Sequence, residues 1–301
     1  MKKLGAAFLL ILTSTAGARI AAAAQEPTPP DAKAPAISLD FKQGEISVGK
    51  GVAKLNVPPG FRFLSPADSQ KVLVDLWGNP TGNPPLGMLF PADKEPEAAD
   101  GWGIVITFEE DGYVKDDDAE KINYADLMKE MKDGMAAENE ERQKAGFPAI
   151  QIVGWATAPR YDKTAKKLYW AKELKFGGAQ ENTLNYNIRI LGRRGVLVLN
   201  AVAGMGQLKE VEAATPEILG FVDFQPGHRY ADYTPGTDKL AAYGIGALIA
   251  GKVAAKAGLF KGLIALLLAG KKFVILAIAA IGAWLKKMFG AKESKAEGAA
   301  Q

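Results

Sequence analysis

Cysteine is absent from this 301-residue chain, and histidine occurs once, at His228. Without thiols there is no disulfide, iron–sulfur cluster or cysteine nucleophile. A single histidine excludes a zinc site with several histidine ligands and leaves a His-based triad barely possible. A third absence is local. No Asp or Glu occurs between Leu240 and Phe289, and every charge in that stretch is a lysine. The net charge of +3 comes without a compact basic patch, so no nucleic-acid partner is expected.

What is present begins with an export signal. Lys2 and Lys3 form a charged n-region, Leu4–Leu12 supplies an apolar core, and Ala22-Ala23-Ala24 precedes Gln25 as an A-x-A cleavage site. Residues 1–24 are therefore read as a signal peptide. Gln25–Ala36 is Pro-rich and polar and opens an extended linker reaching residue 40.

Residues 41–225 read as an extracytoplasmic domain. Short strands are expected at Ile46–Val48, Val52–Val57 and Phe61–Phe63. Ser65 then caps a helix with Pro66 at its first position and Asp68 in its first turn. Val72, Leu73, Leu76 and Trp77 share one face of it, and Gly78-Asn79-Pro80 ends it. Strands follow at Leu86–Phe90 and Trp102–Phe108. A second helix over Tyr124–Lys144 carries the stripe Tyr124, Leu127, Met128, Met131 and Met135.

Four strands are expected next, at 150–157, 168–176, 184–191 and 196–203. In the second, Leu168, Trp170, Leu174 and Phe176 oppose Lys167, Glu173 and Lys175. In the third, Leu184, Tyr186, Ile188 and Ile190 oppose Asn185, Asn187 and Arg189. Such alternation predicts one buried and one polar face, and the connections are too short for parallel crossovers. The fourth, apolar on both sides, is expected to be central. A helix over 207–219 and a strand at 221–224 complete the domain. The predicted class is α+β, an antiparallel β-meander with helices packed on one face and C-terminal membrane helices.

No catalytic set emerges. The acids Glu109, Glu110, Asp111, Asp116, Asp117, Asp118 and Glu120 offer oxygen ligands to a hard cation, but their spacing does not fit an EF-hand loop. They are read as a solvated loop favouring the following helix N-terminus. Ser47-Val48-Gly49-Lys50 matches S-x-x-K without the partner motifs of acylating serine enzymes. Trp102, Trp155, Trp170, Tyr169 and Tyr186 are read as core rather than a sugar platform. No catalytic residue, cofactor or metal is expected.

Pro226–Lys239 is a polar link into the stretch 240–289, read as one or two membrane-associated helices before a polar tail at 290–301. A span over Leu263–Leu285 gains roughly 5 kcal/mol from its apolar residues, while Lys271 and Lys272 together cost roughly as much. Lys252, Lys256 and Lys261 burden the preceding segment in the same way. These five lysines do not share one helical stripe, and lysines at membrane depth mark candidate function.

Five stretches together carry a resemblance: GFRFL at Gly60–Leu64, LWGNP at Leu76–Pro80, GYVKDDDAEKINYADLMKEM at Gly112–Met131, LNYNIRILGRRGVLVLNAVA, and PGTDKLAAYGIGALIAGKVAAKAGLF. The chain resembles, from about Gly51 to Leu285, a family of bacterial membrane-anchored proteins whose domain has no assigned function. A label of amylopullulanase regulation is attached to some members. The resemblance implies membrane anchoring but brings no activity or site residue. The expectation is a non-enzymatic binding or regulatory domain at the bacterial inner membrane, with the bilayer and an envelope protein as partners. Two alternatives stand beside it: an envelope hydrolase using acids such as Glu109 or Asp117, and a membrane-active or pore-forming assembly.

Overall fold

The computed structural model describes residues 37–251. The expected signal peptide, residues 25–36, and all of the chain from Lys252 onward lie outside the described residues.

The first elements are β1 (Phe41–Lys42), β2 (Gly44–Val48), β3 (Ala53–Val57) and β4 (Phe61–Leu64). Pro66–Lys71 forms α1, and Ser65 caps it as expected, its Oγ accepting from the Asp68 amide at 3.2 Å. The helix widens into a π-helical turn at Val72–Leu76 before Gly78 reverses the chain at φ 66°. Then come β5 (Gly87–Pro91), β6 (Gly103–Glu109) and α2 (Tyr124–Lys144), capped by Asn123. Four long strands follow: β7 (Ile150–Asp162), β8 (Lys167–Phe176), β9 (Thr183–Leu191) and β10 (Val196–Gly204). The last described elements are α3 (Leu208–Phe221), β11 (Val222–Phe224) and α4 (Ile245–Ala250). Pro216 lies inside α3, which runs through it as one helix.

The coarser part of the predicted class holds: this is an α+β fold built on a large antiparallel sheet, while the expected membrane stretch lies outside the described residues from Lys252 onward. The sheet's eight strands run β1-β4-β5-β6-β10-β9-β8-β7, with β10 in the interior as its two apolar faces required. A separate three-stranded sheet, β11-β3-β2, folds over one face of it together with α3. That layer buries Leu89, Ile104, Ile106, Ile188, Leu197 and Leu199 against Leu55, Val211 and Phe221. The opposite face carries α1, α2 and α4. Met128, Met131 and Met135 of α2 lie on Ile150, Leu174 and Phe176, while Ile245 and Leu248 of α4 lie on Leu168, Trp170 and Val198. No helix among the described residues is long and apolar enough to cross a membrane.

One expectation about faces is corrected by the register. Leu168 pairs with Arg189, Trp170 with Asn187 and Lys172 with Asn185, so the apolar set of β8 and the polar set of β9 share a face. That face is buried, not solvated: Asn185, Asn187 and Lys172 are 5, 2 and 6% exposed. Alternation within one strand fixes which residues are neighbours on a face. Only the pairing decides what lies across from them.

Candidate functional site

The acidic loop after β6 is the first place where chemistry-bearing residues converge, and it works as a clamp. Asp116 accepts from Tyr161 Oη at 2.7 Å, Lys166 Nζ at 2.8 Å and Tyr230 Oη at 3.2 Å. Burial would raise its pKa, but the Lys166 and Tyr161 bonds outweigh that and hold the carboxyl below its ordinary value. Burial, then the bond to Asp116, pushes the Tyr161 phenol well above its ordinary pKa. Asp118 reaches a different element, accepting from the Ile245 and Gly246 amides at 2.9 and 3.0 Å. It thereby caps α4 from more than a hundred residues away. Gly244 lets the backbone come that close, since a Cβ there would lie 2.5 Å from Asp118 Oδ1. Tyr243 Oη donates to Asp111 Oδ2 at 2.5 Å.

The same clamp holds the segment after β11. Tyr113 stacks on Tyr230 and Tyr233 at 4.3 and 3.9 Å, and its backbone pairs with Leu240. Arg193 grips Asp238 with two bonds of 2.7 and 3.1 Å. The polar stretch 226–239 is thus strapped to the end of the sheet, and His228 serves it through its backbone carbonyl, which accepts from the Arg193 amide. Lys115, Asp117, Asp118 and Leu240–Gly244 line an open groove of about 370 Å³ beside it.

The second convergence lies on the helix-bearing face of the sheet. Lys172 occupies the one gap in the apolar register Leu168, Trp170, Leu174, Phe176 of β8. Its ammonium forms no ion pair among the described residues. Burial first, then repulsion from Arg189, drives its pKa down to about 8, with Glu138 of α2 pulling the other way. Arg189 lies over the Trp170 ring at 5.0 Å. Its hydrogen bonds go to neutral oxygens, Asn200 Oδ1 at 3.0 Å, Ile188 O at 3.1 Å and Asn187 Oδ1 at 3.4 Å. Burial pushes this guanidinium down to about 10. Trp170 Nε1, fully buried, has no acceptor among the described residues, and neither has Arg142 Nη2. Burial also raises the Glu138 carboxyl, against the attraction of Lys172 and Arg142.

The residues singled out in the sequence distribute differently. Lys252, Lys256, Lys261, Lys271 and Lys272 lie outside the described residues. Ser47 is exposed on β2 and Lys50 sits in the following turn at φ 57°, with no helix to place a nucleophile. Trp170 lies on the opposite sheet face from Tyr169 and Tyr186, so the aromatics form no common platform. No cluster of three or more metal-ligating side chains occurs among the described residues. Lys172 is what sequence reasoning passed over, while Arg189 was placed on a solvated face. The signal was there: a lysine at an apolar-register position of a long strand.

Fold and site define a sheet-based α+β domain with its last described helix clamped to an acidic loop. The chain belongs to the family described as protein of unknown function (DUF2167), whose profile matches residues 40–282. No curated protein matches it. Among solved structures it is similar to the PsbP protein (CyanoP) of the cyanobacterium Synechocystis, at 9% identity over 66% of this chain and 100% of that one, TM-score 0.35. It is also similar to LpqN of Mycobacterium tuberculosis, involved in cell envelope biogenesis, at 15% identity over 62% and 92%, TM-score 0.32. The Ran-binding protein Mog1p of Saccharomyces cerevisiae follows at 10% identity over 62% and 96%, TM-score 0.29. At such scores these likenesses carry no functional argument.

Proposed function

We propose that this is a bacterial envelope protein whose α+β body lies outside the cytoplasm and binds an envelope component without catalysing a reaction. In this reading the N-terminal signal exports the chain, and the apolar, lysine-bearing stretch after Gly251 associates with the inner membrane. The observation that carries it is the clamp. Asp118 caps α4, Arg193 holds Asp238, and Tyr113 stacks on Tyr230 and Tyr233, so the chain is built into the body up to the residue before that stretch. Asp116 and Asp118 of the acidic loop are committed to holding structure.

The test compares the full chain with one ended after Gly251, both expressed in a bacterial host with an outer membrane. The full chain should sediment with inner membranes and stay there through a high-salt wash. The shortened chain should be recovered from the periplasm. Recovery of the full chain from the cytosol would sink the proposal.

A further inference from the structure

An open sheet edge is a template for another chain, and folds normally blunt it. Among the described residues three of the four sheet edges are blunted. β1 and β11 are two and three residues long. β7 carries Pro159 and register shifts along its length. The Asn139 side chain of α2 meets both the amide and the carbonyl of Ile150, and Lys132 donates to the Val153 carbonyl at 2.7 Å. β2 is the exception. It is an outer strand of the three-stranded sheet and pairs with β3 in unbroken register over Gly44–Val48. Its backbone makes no hydrogen bond beyond that ladder among the described residues.

That free edge faces a groove of about 360 Å³, lined by the five consecutive residues Ile46–Lys50. Side chains alternate across a sheet, so a groove that touches all five runs along the strand's edge rather than over one face. Phe63, Pro66 and Leu86 add apolar surface, and the charged residues of the lining are Lys42 and Lys50, with no acid among them. Lys42 meets Asp40 at 3.5 Å, both exposed, an ion pair worth little in water. Glu45, the acid on β2, is taken up by Lys54 at 2.7 Å. Lys50 has no ion pair among the described residues and holds a left-handed φ of 57° between Gly49 and Gly51. Glycine there would avoid a cost of roughly 1 kcal/mol, so the turn keeps a cation at the groove against the preference of its backbone.

We infer that β2 is a docking edge for an extended peptide strand of a partner protein. The partner's backbone continues the β11-β3-β2 ladder, its alternate apolar side chains enter the groove, and an acidic residue meets Lys50. A second copy of this chain is disfavoured by charge, since two-fold pairing about Ile46 sets Lys42 of each copy opposite Lys50 of the other. The stretch 25–36 lacks the amides a ladder needs at Pro27, Pro29, Pro30 and Pro35. The docking edge rests on the binding role proposed above and gives it a class of partner; it is independent of membrane association.

The experiment selects a displayed library of random heptapeptides on the purified full chain in a neutral detergent, and the most enriched peptide is synthesised. It should alternate apolar residues and carry Asp or Glu. N-methylation of one alternate set of its amides should weaken binding at least about tenfold while the other set is tolerated, the signature of a strand bonded along one edge. Lys50→Gln, in an exposed turn, should weaken binding roughly fivefold. On the unaltered protein the peptide should slow hydrogen exchange within Gly44–Val48. Overturning results are no enriched peptide, protection confined to other strands, equal tolerance of both N-methylated sets, or an enriched peptide that is basic. Protection of β2 by oleate and by no peptide would assign the groove to an acyl chain and equally overturn the docking edge. Such a failure, with the full chain still sedimenting with inner membranes, would refute the docking edge and leave the envelope reading standing.

Discussion

Replacing Lys172 by Met is a substitution that removes a charge and should make the protein more stable. The side chain is 6% exposed and has no acceptor among the described residues, and burial brings its pKa down to about 8 from an ordinary 10.5. At about 1.4 kcal/mol per pKa unit, that gap corresponds to about 3 kcal/mol of destabilisation at neutral pH. Methionine is of similar length and flexible enough to fill the same space. Swapping a buried ion for an apolar side chain is commonly neutral to stabilising by about 1–4 kcal/mol, which brackets the figure. For a domain of this size the melting temperature should rise by roughly 6–10 °C. The pH dependence gives the sign independently. Because the folded pKa is lowered, the unfolded chain binds more protons between about pH 8 and 10.5, so stability rises with pH across that window. The variant should lack this rise. Arg189 and Glu138 act on Lys172, Arg142 acts on Glu138, and all three persist in both proteins, so the difference between the two curves isolates Lys172. Thermal unfolding followed by tryptophan fluorescence is the assay. A variant less stable than the parent, or parallel pH curves, would refute the reasoning.

Three further outcomes follow from the clamp. Asp118→Ala frees the Ile245 and Gly246 amides and should cost about 1–2 kcal/mol, with faster hydrogen exchange at those two residues; unchanged exchange would show that α4 is capped otherwise. Asp116→Asn should cost about 2 kcal/mol and flatten the acid limb of the stability curve. The Asp116 carboxyl is held below its ordinary 3.8, so its stabilisation is present above that value and fades as pH falls through the lowered one; an unaltered acid limb would contradict this. Gly112→Ala meets both a φ of +111° and a Cβ 2.6 Å from Lys239 O. It should loosen the strap and expose residues 226–244 to limited proteolysis, and an unchanged cleavage pattern would count against the clamp.

Much of the fold was legible because local chemistry and tertiary demand agree there. The helix Tyr124–Lys144 follows from its methionine stripe and the stop at Gly146, and α1 from Ser65, Pro66 and Asp68. The four long strands follow from period-two alternation. The site was illegible because it is made by pairing. Arg189 and Asn187 look like a solvated face until β8 sets Leu168 and Trp170 beside them. The strap was hidden for a related reason. Nothing local in a turn-rich segment announces that Asp238 will meet Arg193, and composition cannot separate a helix buried on a sheet from one bound for a bilayer. Ile245, Leu248 and Ile249 read as membrane and pack on Leu168, Trp170 and Val198.

The claim that the body faces outward from the inner membrane is tested most directly by adding protease to spheroplasts that carry the full chain. The account predicts that the body is digested while a cytoplasmic marker survives, with fragments from the region beyond Gly251 remaining in the membrane pellet. A body protected until the spheroplasts are lysed would contradict it.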